Sequence, residues 1–477
     1  MNNAPYVHTF KTSEQCYVYD VNTDKILKVP QAVYDYLSAP ENINVDDETI
    51  SFIQNMKENG FLRSDRVEVS EHPATPMLPF YMKNKMHQLI LQVTQNCNLR
   101  CTYCTYSGLY KNRKHSHNSM SVETAERAID FFIKRTKDSR RVTISFYGGE
   151  PLLNLDLIKH CINYIETRYY GKNINFGMTT NGTLLNKDAI KFLVDKKFNI
   201  MISLDGSEKI HDARRRFASD GNGTFSTIIN NIANIKKYYR DFYQTNVTFI
   251  TVLDTTKDFI SIGEFISNND TLEENKFLLN YISDNYTEQK IEVNDEFYIE
   301  REYEFFKFLL SKLGEISHQK TFKLMAYRLA DIYHRCFQSF EIEQEYIPKK
   351  FHHSGPCIPG TTRLFVDING NFFPCERVSE QSKTVVLGNI QDGIVIEKIT
   401  QVLNPEIITH SKCKNCWAYR KCYACVALAD DMQGISKDIT SKRCPIICDS
   451  IDNKFKDYCV LRELGYTFDE EIMRGDL

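Results

Sequence analysis

The chain has no run of about 18 consecutive apolar residues, the length a membrane-spanning helix needs, so no such helix is expected. It has no excess of one charge either. Lys and Arg number 59 against 62 Asp and Glu, a formal net charge of −3. That balance gives no reason to expect nucleic acid or an anionic membrane as partner. The opening MNNAPYVHTF carries no basic stretch ahead of an apolar one, so no secretory signal is expected and the chain reads as soluble and cytoplasmic. From about His352 onward apolar periodicity is also scarce, with Gly, Pro and Asn between the thiols. A segment so built needs another source of stability, which metal clusters provide.

What is abundant is cysteine. There are 15 in 477 residues, a length that holds about two to four domains. In a reducing cytosol such thiols are metal ligands more often than disulfides. Three cluster near position 100 and eight lie between Cys357 and Cys448. Cys16, Cys161, Cys336 and Cys459 stand apart and read as small buried hydrophobes.

Residues 1–72 read as a small α+β module. Cys16–Asn22 and Lys25–Pro30 flank Thr23-Asp24, a hairpin pattern. Helical patterns follow at Gln31–Ser38 and Asp46–Asn59, with Gly60 at the C′ position. Three prolines between Glu71 and Pro79 predict a stiff, extended linker over 73–85.

From 86 to 320 strand and helix alternate. His87–Gln95 is an apolar strand leading into the Cys97 loop, and Ser121 is the N-cap of a helix bearing Val122, Ala125, Ile129 and Phe132. Further strands are expected at Val142–Phe146, Ile174–Met178, Ile200–Leu204, Val247–Leu253 and Lys276–Ile282. Such repeats imply an α/β fold with a parallel sheet and right-handed crossovers, a partial (β/α)6 TIM-type barrel. Sites in such barrels sit at the carboxyl ends of strands, where every unusual motif of this chain falls. Glu300–Leu313 reads as a helix, 321–350 as a helical bridge, 351–450 as a cysteine-rich domain and 451–477 as a tail.

The run Cys97-Asn-Leu-Arg-Cys101-Thr-Tyr-Cys104 puts three thiols on one short loop. Zinc normally takes four protein ligands. Three thiolates hold three corners of a 4Fe–4S cubane and leave the fourth iron open for chemistry. Incidental thiols or half a zinc site are the bland alternatives. The spacing resembles the Cys-x3-Cys-x2-Cys hallmark of the radical S-adenosylmethionine (radical SAM) superfamily. That resemblance implies an open iron that chelates the methionine moiety of SAM, and cleavage of the sulfonium to a 5′-deoxyadenosyl radical. Tyr103 stands where the superfamily places an aromatic against the adenine. Gly148-Gly149-Glu150-Pro151 resembles its GGEP motif, which binds the methionyl amino group, and glycines there let backbone approach a ligand closely. Asn181, in Thr180-Asn181-Gly182-Thr183, would line the cofactor site. Ser203-Leu-Asp205-Gly206 through His211-Asp212 to Arg215 resembles a stretch of radical SAM peptide-modifying enzymes. Ser203 and Arg215 would bind the cofactor carboxylate, for which a guanidinium fork is suited. Arg214 and Arg216 flank it and leave the choice of arginine open.

A second constellation runs Cys357-x12-Gly370-x4-Cys375, then Cys413-x2-Cys416-x5-Cys422-x2-Cys425, then Cys444 and Cys448. It resembles the SPASM domain, which houses two auxiliary 4Fe–4S clusters. The family has three residues before its sixth cysteine and this chain has two. By position, Cys413, Cys416, Cys422 and Cys444 would hold the outer cluster, and Cys357, Cys375 and Cys425 the inner one. The inner fourth ligand would be Cys448 or a substrate thiolate. Structural zinc is the bland reading of the same spacings. The N-terminal module resembles the PqqD-like recognition element, a winged-helix fold that binds leader peptides by β-augmentation. A plain structural cap is the alternative.

This order of modules resembles maturases of ribosomally made peptides, above all those forming sulfur-to-carbon thioethers (sactipeptides and ranthipeptides). The resemblance implies SAM and three 4Fe–4S clusters as cofactors. It implies a precursor peptide with a leader and a cysteine-rich core as substrate, and a reductant such as flavodoxin or ferredoxin. The general base is not identified. The rival readings are an anaerobic sulfatase-maturating enzyme, a carbon–carbon crosslinking peptide maturase, and a non-catalytic peptide-binding scaffold stapled by zinc.

Overall fold

The computed structural model describes residues 4–39, 45–106, 109–257, 259–272, 275–287, 291–337, 346–353 and 357–468. Its first strands, β1 (Val7–Lys11), β2 (Cys16–Asp20) and β3 (Lys25–Val29), form an antiparallel sheet in that order. The β2–β3 turn is built from local chemistry. Asp20 Oδ1 accepts from Thr23 N at 2.9 Å, and Asp24 takes φ 57°, a conformation short polar side chains tolerate. Helices Gln31–Ser38 and Asp47–Glu58 follow. Asp46 caps the second by accepting from Thr49 N at 2.8 Å, and Gly60 terminates it at φ 87°.

The proline-rich segment is helical, not extended as its composition predicts. A 3-10 turn at Thr75–Met77 runs into a helix at Leu78–Asn84. Pro76 and Pro79 occupy first-turn positions, where no backbone donor is needed and a fixed φ is already helical. Leu78 and Met82 then point into the main core. Just before it, β4 (Val69–Ser70) awaits a partner from the far end of the chain.

Six strands follow in parallel array: β5 (Gln88–Thr94), β6 (Thr143–Gly148), β7 (Asn175–Thr180), β8 (Asn199–Ser203), β9 (Val247–Leu253) and β10 (Lys276–Tyr281). Each pairs with its sequence neighbour, as a crossover topology requires. The helix Val122–Ile133 starts at Ser121, whose side chain accepts from Thr124 N at 3.1 Å. Helix Asp295–Lys312 begins five residues before the point where its periodicity became visible at Glu300.

β11 (Lys350–Phe351) pairs parallel with β4. β12 (Leu364–Val366) then pairs parallel with β5, in the register Leu364↔Leu89, Phe365↔Ile90 and Val366↔Leu91. β13 (Asn371–Phe373), β14 (Gly388–Asn389) and β15 (Gly393–Ile394) continue antiparallel, so one ten-stranded sheet runs from the barrel into the cysteine-rich region. One apolar core spans both. The boundary expected at 450 falls inside a continuous helix, Lys437–Glu463, because Ile447, Ile451, Phe455 and Cys459 keep burying the same helix through that point. Short helical turns occupy 323–337, while 338–345 of the expected bridge and 469–477 of the expected tail lie outside the described residues. Among the described residues, no helix is long and apolar enough to cross a membrane.

The N-terminal module is fastened to the cysteine-rich region. Tyr6 donates to the Cys416 carbonyl at 2.8 Å. Arg420 donates to the carbonyls of Val21 and Asn22 at 2.8 and 2.9 Å, and Lys421 pairs with Asp24 at 3.0 Å. His8 stacks on Trp417 with ring centroids 3.7 Å apart.

Candidate functional site

The loops that carry chemistry leave β5, β6, β7 and β8 at their carboxyl ends, so parallel pairing alone brings them to one rim. The Cys97 loop is pinned to the loop after β8. Arg100 N donates to Arg216 O at 2.9 Å, and Thr102 N to Arg214 O at 3.0 Å. Cys97, Cys101 and Cys104 are partly buried there. Burial first, then neighbouring negative charges, pushes the Cys97 thiol up to about 12; burial likewise carries Cys101 to about 11. Thiols held this high become ligands only when a metal supplies the compensating charge. Three of them on one loop fit three corners of an iron–sulfur cluster.

Two glycines let the β6 loop lie against this one. A Cβ on Gly148 would sit 2.1 Å from Thr94 O, and one on Gly149 would sit 2.2 Å from Asn96 O and 3.1 Å from Cys97 Cβ. The next residue, Glu150, is fully buried. Its carboxylate accepts from Thr180 Oγ1 and Asn181 N, each at 2.7 Å, and from Leu152 N at 3.1 Å. Burial nonetheless lifts its pKa to about 7, against the opposing pull of those hydrogen bonds. Asn181 Nδ2 lies 3.9 Å from Cys97 Sγ and donates to Asn98 Oδ1 at 2.9 Å.

The three consecutive arginines separate cleanly. Arg214 forms an ion pair with Asp254, and Arg216 Nη1 donates to Gly221 O at 2.9 Å. Arg215 alone is buried at the rim, its Nε 2.8 Å from Asp205 Oδ2 and its guanidinium 5.4 Å from the Tyr103 ring centroid. Asp205 also receives the Tyr103 hydroxyl and the Val252 amide, the latter at 3.1 Å. Burial raises the Asp205 carboxyl, but Arg215 outweighs it and holds the group below its ordinary value. Ser203 closes β8 and is buried beside them. Asp205 thus organises Tyr103 and Arg215. It stands inside the Ser-x-Asp-Gly stretch, yet only the fold shows that it joins the two. His211 supports it from behind, with Nδ1 accepting from Asp205 N at 3.3 Å.

Sequence reasoning missed a buried network between the rim and the cysteine-rich region. Arg113 pairs with Glu380 at 2.7 Å and donates to Glu376 O at 2.6 Å, next to Cys375. Gln92 on β5 donates to Glu380 at 2.7 Å and to Tyr106 at 2.8 Å. The Lys111-Asn-Arg113-Lys114 run was the one available signal, and it reads as a solvated basic patch.

The C-terminal thiols fall into two groups. Cys413, Cys416, Cys422, Cys444 and Cys448 line a single cavity. Cys448 Sγ lies 3.9 Å from Cys416 Sγ. Cys448 therefore joins the outer group, not the inner one to which spacing allowed it to belong: one helical turn after Cys444, it shares that residue's helix face. The second group is Cys357, Cys375 and Cys425: burial lifts the Cys375 and Cys425 thiols, and the neighbouring Cys425 adds to the rise at Cys375 as Cys357 does at Cys425. Gly370 at φ 84° makes the turn between the first two, where a Cβ would lie 2.7 Å from Ile390 Cδ1. A third set, His352, His353 and Glu406, offers metal-ligating atoms within 4.8 Å of one another. Both Glu406 oxygens already accept hydrogen bonds, from Ser70, His353 N and Tyr419.

These loops on this sheet define a class: the fold is that of the radical SAM enzymes. Residues 91–266 match the Radical SAM superfamily. A cysteine-type anaerobic sulfatase-maturating enzyme of Clostridium novyi (strain NT) is 32% identical over 39% of this chain and 49% of its own length. The chain thus spans about half of that relative. A cysteine-type anaerobic sulfatase-maturating enzyme of Clostridium perfringens (strain ATCC 13124) is 28% identical over 70% of this chain and 86% of its own. The solved structure of hexahistidine-tagged anSMEcpe with bound AdoMet aligns with TM-score 0.60 at 20% identity, covering 82% of this chain and 97% of that one. Native anSMEcpe with bound AdoMet and Kp18Cys peptide aligns with TM-score 0.53 at 21% identity, covering 77% and 99%.

Proposed function

We propose that this enzyme modifies cysteine residues of a ribosomally made peptide, joining cysteine sulfur to carbon as thioether crosslinks. The observation that carries this reading is the N-terminal module seated on a five-thiol nest, with Tyr6 at the Cys416 carbonyl. Among the described residues no further strand pairs with the edges of this three-stranded sheet, which suits leader capture by strand addition, the role of a PqqD-like element. Held there, the peptide is anchored on the same body as the catalytic rim.

Cys97, Cys101 and Cys104 would hold the cluster that binds SAM, and when bound that pair supplies a 5′-deoxyadenosyl radical. Tyr103, Gly148, Gly149, Glu150, Asn181, Ser203 and Arg215 would form the walls of the SAM site. Asp205 accepts from both the Tyr103 hydroxyl and the Arg215 Nε, leaving the remaining guanidinium donors for a carboxylate. Glu150 locks the Asn181 amide and the close glycine turn. Cys413, Cys416, Cys422, Cys444 and Cys448 would hold an outer SPASM-type cluster. Cys357, Cys375 and Cys425 would hold an inner one with a corner open to a substrate thiolate, giving three 4Fe–4S clusters in all. A small flavoprotein or ferredoxin would supply electrons in the cytoplasm.

Co-expression with a cysteine-rich peptide from the neighbouring small reading frame tests the reading. Mass spectrometry is expected to show loss of a pair of hydrogens per bridge. An unmodified peptide, or a formylglycine product, overturns it. The second reading is that formylglycine chemistry, favoured by the sulfatase-maturating relatives and by the peptide-bound neighbour. A sulfatase-derived cysteine peptide offered to the reconstituted enzyme distinguishes the two.

A further inference from the structure

Five thiols line the outer cavity, yet a cubane has four corners. Cys413 and Cys416 sit three residues apart around a helix end, with Cys416 N donating to Cys413 O at 2.9 Å. Cys422 follows a 3-10 turn. Cys444 and Cys448 project from one face of helix Lys437–Glu463. The Sγ atoms of Cys416 and Cys448 lie 3.9 Å apart. A pair that close presents two sulfurs toward one corner. Cys413 and Cys444 are fastened separately, to Thr409 Oγ1 at 3.3 Å and Thr440 O at 3.4 Å. Cys448 also lines a second, open groove along β1, with His8, Phe10 and Trp417. It therefore stands on the wall between the cavity and solvent.

We propose that Cys416 and Cys448 share one corner of the outer cluster: Cys413, Cys422 and Cys444 are fixed ligands, and either member of the pair completes the site. The exchange is a substitution of one thiolate for another at a single iron. The incoming thiol gives up its proton and the departing thiolate takes one, so charge and electron count do not change. Ligation by Cys416 leaves Cys448 facing the groove as a free thiol, and ligation by Cys448 frees Cys416. This rests on the outer nest holding a cluster, as proposed above.

The test is done on the anaerobically reconstituted full chain. Cys416→Ala and Cys448→Ala are each expected to keep the wild-type iron and sulfide content, whereas the double variant, left with three thiolates, exposes the fourth iron and loses about one iron per chain on mild oxidation. Reduced wild type should show two overlapping paramagnetic signals from this site, and each single variant one of them. Brief alkylation of the native wild type, read by peptide mass spectrometry, needs no variant to fold. It should label Cys416 and Cys448 each in part, summing to about one alkyl group per chain. All the label on one of them overturns the sharing, as does iron loss in either single variant equal to that of Cys413→Ala. If the triple variant Cys413→Ala/Cys422→Ala/Cys444→Ala itself costs no iron, the nest holds no cluster and the underlying reading falls with the proposal.

Discussion

Replacing Gly149 by Ala probes the contact on which the rim depends. The added methyl would lie 2.2 Å from Asn96 O, 2.6 Å from Asn96 C and 3.1 Å from Cys97 Cβ. Two of these are backbone atoms and cannot swing away. The Asn96 carbonyl is also held by Glu150 N at 2.9 Å, so the two loops must separate as units. Reaching ordinary contact requires a shift of about 1 Å, and overpacking of this kind costs about 1–3 kcal/mol. A 1 Å misplacement beside reacting groups costs roughly 100-fold in rate. The variant is therefore expected to melt a few degrees lower. It should also bind less iron at the three-thiol loop, and release about 100-fold less 5′-deoxyadenosine from SAM under reduction. Iron analysis and chromatography of the nucleoside measure both. A variant with wild-type iron content and nucleoside release would refute the claim that this glycine sets the spacing of the rim.

Other substitutions follow from the same geometry. Arg215→Lys should weaken SAM binding by roughly tenfold or more, since Lys has no bidentate fork, while Arg214→Lys should leave it within about twofold; calorimetry compares them. Arg113→Met strands the buried Glu380 carboxylate and should cost about 3–5 kcal/mol in urea unfolding, with Arg113→Met/Glu380→Met recovering much of the loss. His211 is held neutral by burial and then by Arg215, its pKa lowered from 6.5 to about 4. A histidine lowered on folding contributes stability above pH 6.5, lost as pH falls from 6.5 toward 4. At pH 5 the loss is about 2 kcal/mol, and His211→Gln should flatten unfolding curves over that window.

Strand positions were legible where burial alternates along the strand. Val247–Leu253 keeps its bounds because every second side chain is buried. Motifs at the strand ends were legible because their spacings are chemical. The helical character of 75–84 was not, since proline composition says nothing of whether a ring falls on a first helical turn. The β12–β5 pairing has no local signal: three apolar residues find their partners only through the finished sheet. The Arg113–Glu380 pair and the seating of Cys448 in the outer cavity are likewise products of tertiary closure.

That pairing has a practical bearing on how the molecule can be cut. Removing the segment after about residue 350 would not yield a catalytic domain with a loose end. It would strip β5 of its neighbour and bare a row of amide and carbonyl groups directly behind the three-thiol loop. Such a fragment is a template for intermolecular strand addition, so it should precipitate, and activity lost on truncation would say nothing about electron transfer.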